Sequence, residues 1–258
     1  MTTQTVTLAG DTDWPGFRNE ARTLLARQVP PEAVVWHTRA SAEGGLFAAL
    51  EARRTVVGHS SASAVVPPAF VRLCETVVLH ADPARFGMLY RLLWRLVYEP
   101  GLRHDPLDAE RVRAQHMAQA VRREMHKMKA FVRFRPIAQG DGLPPLHVAW
   151  FEPEHHIVEA VAPFFVRRFT QMHWVILTPR RSARWFPPED GGEDAKGGHL
   201  DIGPGARRED APPPDAGEAL WLTCYQPLQR AAAGVPDEAQ ALAASGPCHP
   251  TSSKPWPR

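Results

Sequence analysis

The chain has 258 residues, 44% of them hydrophobic, enough to bury a substantial core in one large or two small domains. No run of about 18 apolar residues exists, which excludes a membrane-spanning helix, and the formal charge of only +2 means that a basic surface can arise only where charge is concentrated locally. Three cysteines, Cys74, Cys224 and Cys248, are odd in number and far apart, so reduced thiols are expected, with no disulfide framework, no structural metal and no cofactor.

The first residues, MTTQTVTLAGDTDWPGF, carry neither a basic leader nor an apolar signal core and are expected to belong to a mature cytoplasmic protein. Thr5 to Leu8 predicts a strand, and Asp11-Thr-Asp13 predicts a helix cap with Pro15 in the first turn. Phe17, Ala21, Leu24 and Leu25 recur at helical spacing up to about Gln28, where Pro30-Pro31 ends the helix. Ala33 to Trp36 then supplies a second strand and a β-α-β start. Gly58-His-Ser-Ser-Ala-Ser63 lacks the GxSxG elbow of a serine nucleophile and reads as a loop. Helices are predicted from about Ala69 to His80, with Cys74 as a core residue, and from Pro83 to Tyr98. The second is apolar on most sides through Phe86, Met88, Leu89, Leu92, Leu93, Leu96 and Val97, which places it at the centre of the core.

Positive charge collects next. Between Arg103 and Arg135 nine Lys/Arg stand against four Asp/Glu. On a helix, Leu107, Ala114, Met117, Ala118, Val121, Met125 and Met128 fall on one face and Arg113, His116, Arg123 and Lys127 on the other. Ala130-Phe-Val-Arg-Phe-Arg135 then alternates like a strand, with Phe131, Arg133 and Arg135 on one side and Phe134 turned inward. Cations interleaved with aromatic rings suit nucleic acid: Arg122, Arg123, Lys127, Lys129, Arg133 and Arg135 on phosphates, Phe131 or Phe134 on bases. Equally, such a helix can be a solvated face over a Met/Val core stripe.

Phe131 to Pro136 and His147 to Phe151 flank the turn-forming Gly140-Asp-Gly142 as a hairpin, a helix is predicted from His155 to about Arg168, and Trp174 to Leu177 pairs with Ser182 to Trp185 in a second hairpin. The sequence Phe151-Glu-Pro-Glu-His-His-Ile-Val-Glu159 places Glu152, His155, His156 and Glu159 where a strand gives way to a helix, a location where a general base or a pocket can form. The spacing is not HExxH, and Pro153-Glu154 also reads as an ordinary first helical turn in which the dipole disfavours an imidazolium at His156. Arg167 and Arg168, close to Phe169 and Trp174, would extend a nucleic-acid surface or simply complement a helix C-terminus.

From Pro187 the stretches PPEDGGEDAKGG and GPGARREDAPPPDAG are rich in turn formers and read as loops or linkers, with one short helix at Glu218 to Tyr225. The expectation is therefore an α+β fold of mixed helices and antiparallel hairpins with a β-α-β start. One globular domain would occupy residues 1–186, a loop-rich extension 187–226, and a disordered or frameshifted tail 227–258.

Three stretches carry a resemblance. HDPLDAERVRAQHMAQAVRREMHKMKAFVRFRP, WFEPEHHIVEAVAPFFVRRFTQMHWVILTP and GPGARREDAPPPDAGEALWLTCYQ resemble the uncharacterised bacterial "probable DNA metabolism protein" family over roughly residues 4 to 226. Its members are usually encoded beside a radical-SAM protein assigned to DNA repair, or fused ahead of a UdgX-type uracil-DNA glycosylase domain. The resemblance thus implies a DNA-repair role with one of these as partner. The four cluster-binding cysteines and uracil-pocket motifs of such glycosylases have no counterpart here, so the chain is not expected to be that enzyme. After Gln226 the family's Phe-Asn-Pro-Ala-Arg-like continuation gives way to PLQRAAAGVPDEAQ, a change that a frameshift near Leu228-Gln229-Arg230 would explain. The expected function is a DNA-repair accessory protein that binds intact or damaged DNA. The alternatives are an enzyme acting on a damaged base or sugar through Glu152, His155, His156 and Glu159, or a scaffold that docks the radical-SAM protein without touching DNA.

Overall fold

Two parallel strand pairs, each joined through a helix, organise the computed structural model, which describes residues 3–39, 66–140, 143–188 and 197–211. The first unit is β1 (Gln4–Leu8), α1 (Trp14–Ala26) and β2 (Val34–Thr38), with Gln4 opposite Val34 and Leu8 opposite Thr38. Asp13 closes the entry to α1 by accepting the N–H groups of Gly16 (2.9 Å) and Ala9 (3.0 Å). A Cβ on residue 16 would lie 2.1 Å from Asp13 Oδ2, so this cap requires glycine there. Phe17, Ala21, Leu24 and Leu25 are the buried face of α1, as their spacing predicts. They meet α2 (Pro68–Val77) and α3 (Arg85–Tyr98) in a first core, where the rings of Phe17, Trp36, Phe86 and Tyr90 interlock and the Tyr90 hydroxyl donates to Val29 O at 2.6 Å. Cys74 lies in this core, where burial pushes its thiol pKa well above the ordinary value, in keeping with a packing role.

The long helix α4 (Ala109–Phe131) ties this core to a second. Its early residues Ala114, Met117 and Ala118 pack into the first core, while Val121 and Met128 enter the second. Asp108 caps it through Arg111 N (3.0 Å). Leu107, expected on the apolar stripe, precedes this cap and is 82% exposed, because the helical phase begins only at Ala109.

The second core lies against one face of a five-stranded sheet ordered β3 (Arg135–Ile137), β4 (Leu146–Trp150), β5 (Trp174–Leu177), β6 (Arg181–Phe186), β7 (His199–Pro204). Helix α5 (Val158–Arg168) connects β4 to β5, which run parallel; the other neighbours are antiparallel. The fold is thus a mixed α+β domain that begins with a strand, and its sheet combines hairpins with a crossover. The alternation read at Ala130 to Arg135 proves to be a helix end: α4 runs through Phe131, Val132 is buried, and only Arg135–Ile137 pairs with β4. Phe134 does turn inward, its ring 5.9 Å from Phe165, 5.3 Å from Phe169 and 5.7 Å from Trp174.

The segment after Pro187, read as loop, contains β7, which is paired with β6 over six residues. Only Leu200 and Ile202 of β7 pack onto the second core, too little alternation to stand out among turn formers. The expected loop at Gly58 to Ser63, the turn residues Asp141 and Gly142, the helix at Glu218 to Tyr225, Cys224, Cys248 and the tail 227–258 lie outside the described residues.

Candidate functional site

The predicted cations lie in the C-terminal half of α4, in the segment that follows it into β3, and at the end of α5. Arg122, Arg123, Lys127, Lys129, Arg133, Arg135, Arg167 and Arg168 are all exposed. Lys129 joins the two helices, its Nζ 5.3 Å from the Phe164 ring centroid, and the Arg168 guanidinium lies 5.4 Å from the centroid of Phe169. Phe131, in the last turn of α4, is 67% exposed and stands beside these charges as a free ring.

Ion pairing separates this surface from the rest of the helical layer. Arg91 pairs with Glu110; Arg95 pairs with Glu99, Asp108 and Glu110; Arg113 pairs with Asp82. Among the described residues, none of Arg122, Arg123, Lys127, Lys129, Arg135, Arg167 and Arg168 has a carboxylate partner. Arg133 is occupied differently: its Nη1 donates to the carbonyls of Ala130 (2.6 Å) and Val132 (3.0 Å) and closes the helix end. Its contribution to a phosphate surface is accordingly smaller than its neighbours'.

The Glu/His cluster lies elsewhere, at the C-terminal ends of both parallel strand pairs. Asp11 and Thr12 follow β1, Thr38 ends β2, His155, His156 and Glu159 follow β4, and Arg180 and Arg181 follow β5. The Thr12 hydroxyl donates to Glu159 Oε2 at 3.2 Å across this junction, and Glu159 Oε1 lies 3.8 Å from Arg181 Nε. Strand C-termini are where open α/β sheets gather ligands.

At the centre is Arg85, 2% exposed, which sequence reasoning treated only as part of an apolar helix. Its guanidinium donates to the carbonyls of Val78 (2.8 Å), Asp82 (3.0 Å) and Asp11 (2.6 Å) and lies 3.7 Å from the Asp11 carboxylate. Glu124 on α4 accepts the N–H groups of Glu154 (2.7 Å) and His155 (2.8 Å), and His156 N–H donates to Leu79 O at 2.8 Å. These tertiary bonds hold residues 154–156 in a bend, so α5 begins at Val158 and not at His155 as predicted, and His156 is not a first-turn residue.

The four predicted residues separate accordingly. His155 is buried and accepts the Ala81 N–H at Nδ1 (3.3 Å), its ring 4.3 Å from that of His80. This is a packing role. Glu152 is exposed and accepts from the Trp150 indole at 2.6 Å, away from the junction bonds. His156 is half-buried, and its pKa is lowered to about 4, chiefly by burial, with Arg85, Arg180 and His155 acting in the same direction and Asp11 against them. It is a neutral imidazole at physiological pH, able to accept a proton. With Glu159 it forms the part of the cluster capable of acid–base work. Among the described residues no group of three His, Cys, Asp or Glu is placed to hold a metal ion, and no helix is long and apolar enough to cross a membrane.

Asp11, Thr12, Arg85, Glu124 and Arg180 were missed by the sequence reading. The one usable signal was Arg85, which falls among the apolar residues Phe86, Met88, Leu89 and Leu92 at the start of α3.

No curated protein and no solved structure matches the chain. A family described as a domain of unknown function, DUF4130, matches residues 83–233, which take in α3 to β7 and more than half of the sequence. With the sheet, the cationic helices and the Glu/His bend all inside that span, the chain belongs to the DUF4130 family.

Proposed function

We propose that the chain is a DNA-binding accessory protein of DNA repair, which engages the duplex through the exposed, carboxylate-free cations of α4 and α5. The observation that carries this reading is the segregation of ion pairing: among the described residues, the acids of the helical layer neutralise Arg91, Arg95 and Arg113 and leave Arg122, Arg123, Lys127 and Lys129 without a carboxylate partner. Unpaired cations on two adjoining helices gain most from phosphates, because binding releases condensed counterions. That the polyanion is DNA, that the setting is repair, and that a radical-SAM protein or a uracil-DNA glycosylase is the partner rest on the family resemblance. A cytoplasmic location follows from the same reading.

Fluorescence anisotropy with a labelled duplex at several salt concentrations tests the proposal. Wild type binds with a log–log salt slope of several units, and Arg122→Ala/Arg123→Ala/Lys127→Ala lowers that slope by about 0.9 for each phosphate contact removed. An unchanged slope refutes it. A second reading, acid–base catalysis on a damaged base or sugar by His156 and Glu159, is favoured by their place where the two sets of strand C-termini meet. Loss of damage tolerance in His156→Gln with DNA affinity intact would select it.

A further inference from the structure

A groove of about 350 Å³ opens between α2, α3, the turn Pro100–His104 and α4, and its walls differ sharply in character. Its floor is apolar, formed by Phe70, Leu73, Leu92 and Leu96. Four guanidinium groups, those of Arg72, Arg103, Arg111 and Arg122, line it as well, and among the described residues no carboxylate does. Arg111 is fixed in place, its Nη1 donating to the carbonyls of Leu102 (3.1 Å) and Asp105 (2.9 Å). Arg72 and Arg122 are exposed, and among the described residues neither side chain has a protein partner.

An apolar floor under several cations accepts a ligand with a flat, weakly polar body and an anionic group. Gln115, also at the groove, offers both a donor and an acceptor to the edge of such a body. The volume is at the lower end of the roughly 300–1,000 Å³ usual for small-ligand sites, suited to one nucleotide unit. Arg122 belongs both to this groove and to the cationic face, so a strand lying along α4 would pass the groove mouth. We propose that the groove receives a single unpaired nucleotide of bound DNA, its base on the Phe70/Leu73 floor and its phosphates on Arg72 and Arg122. This rests on the DNA-binding reading above and specifies which structure in DNA is selected: an extrahelical or unpaired nucleotide.

The test compares a fully paired duplex with the same duplex carrying one bulged 2-aminopurine nucleotide. Wild type binds the bulged duplex about tenfold more tightly, the scale of one stacked base, and the 2-aminopurine emission changes on binding. Ala69→Trp and Gln115→Trp, both at exposed positions of the groove wall, fill it from the solvent side, and Arg72→Ala removes a phosphate partner. Each keeps wild-type affinity for the paired duplex and abolishes the preference, and circular dichroism melting verifies folding. Wild type that binds paired and bulged duplex equally overturns the groove proposal while the cationic face stands; wild type that binds neither overturns the DNA-binding reading itself. A preference retained in both Trp variants also overturns the groove proposal. So does binding of free deoxyadenosine monophosphate at the groove by a wild type that ignores the bulge, which would assign the site to free nucleotides.

Discussion

Arg85→Met removes the group on which the junction between the two strand pairs depends. The Met side chain keeps most of the apolar stem packing but leaves the carbonyls of Val78, Asp82 and Asp11 without their donor. Hydrogen bonds to a charged group contribute about 1.5–3 kcal/mol each, so three would total at least about 4.5 kcal/mol. Relief from burying a guanidinium offsets part of this, since the Asp11 carboxylate at 3.7 Å is only a loose counter-charge. A net loss of about 4 kcal/mol follows, a large part of the roughly 5–15 kcal/mol that holds a domain folded. Urea unfolding followed by circular dichroism measures it directly. A loss below about 1 kcal/mol would refute the structural role and indicate that Arg85 is retained for a ligand at a cost in stability.

Two phenylalanines three residues apart should behave oppositely. Phe134→Ala, which empties a cluster with Phe165, Phe169 and Trp174, is expected to cost about 2–3 kcal/mol in urea unfolding, whereas exposed Phe131→Ala stays within about 0.5 kcal/mol and instead weakens single-stranded DNA binding several-fold. Equal stability losses would show that Phe131 is packed as firmly as Phe134 and contradict its exposure at the end of α4. For His156, the folded-state pKa of about 4 lies below the ordinary 6.5, so the unfolded chain takes the proton first. Stability from its neutral form is therefore complete above pH 6.5 and declines as pH falls toward 4. His156→Gln flattens that decline, leaving the part due to His80 and His173, which burial also lowers. Unfolding free energies at pH 7 and 4.5 test this, and a wild-type pH dependence in the variant contradicts it.

The helices were legible because their apolar spacing is strong: Phe17, Ala21, Leu24 and Leu25 alone define the buried face of α1. The cationic surface was legible for a related reason, since local charge counts survive folding when the side chains stay exposed. What sequence could not supply was long-range pairing. The parallel partnership of β4 and β5, the brief Leu200/Ile202 alternation of β7, and Glu124 reaching 30 residues along the chain to hold the Glu154 bend are set by tertiary contacts. The Glu/His run looked like one site. It divided because neighbouring residues outside regular structure point wherever their hydrogen bonds lead: Glu152 to Trp150, His155 into the core, and His156 toward Asp11 and Arg180.

The sequence contains four lysines, Lys127, Lys129, Lys196 and Lys254, and two of them lie on the proposed DNA face. Acetylation rates read by mass spectrometry, with and without saturating duplex, test that face most directly. The account predicts that DNA slows modification of Lys127 and Lys129 relative to Lys196 and Lys254 and that 0.5 M salt abolishes the protection, because phosphate contacts are screened. Unprotected Lys127 and Lys129 in a complex shown to be saturated would contradict the assignment of α4 as the surface that meets DNA.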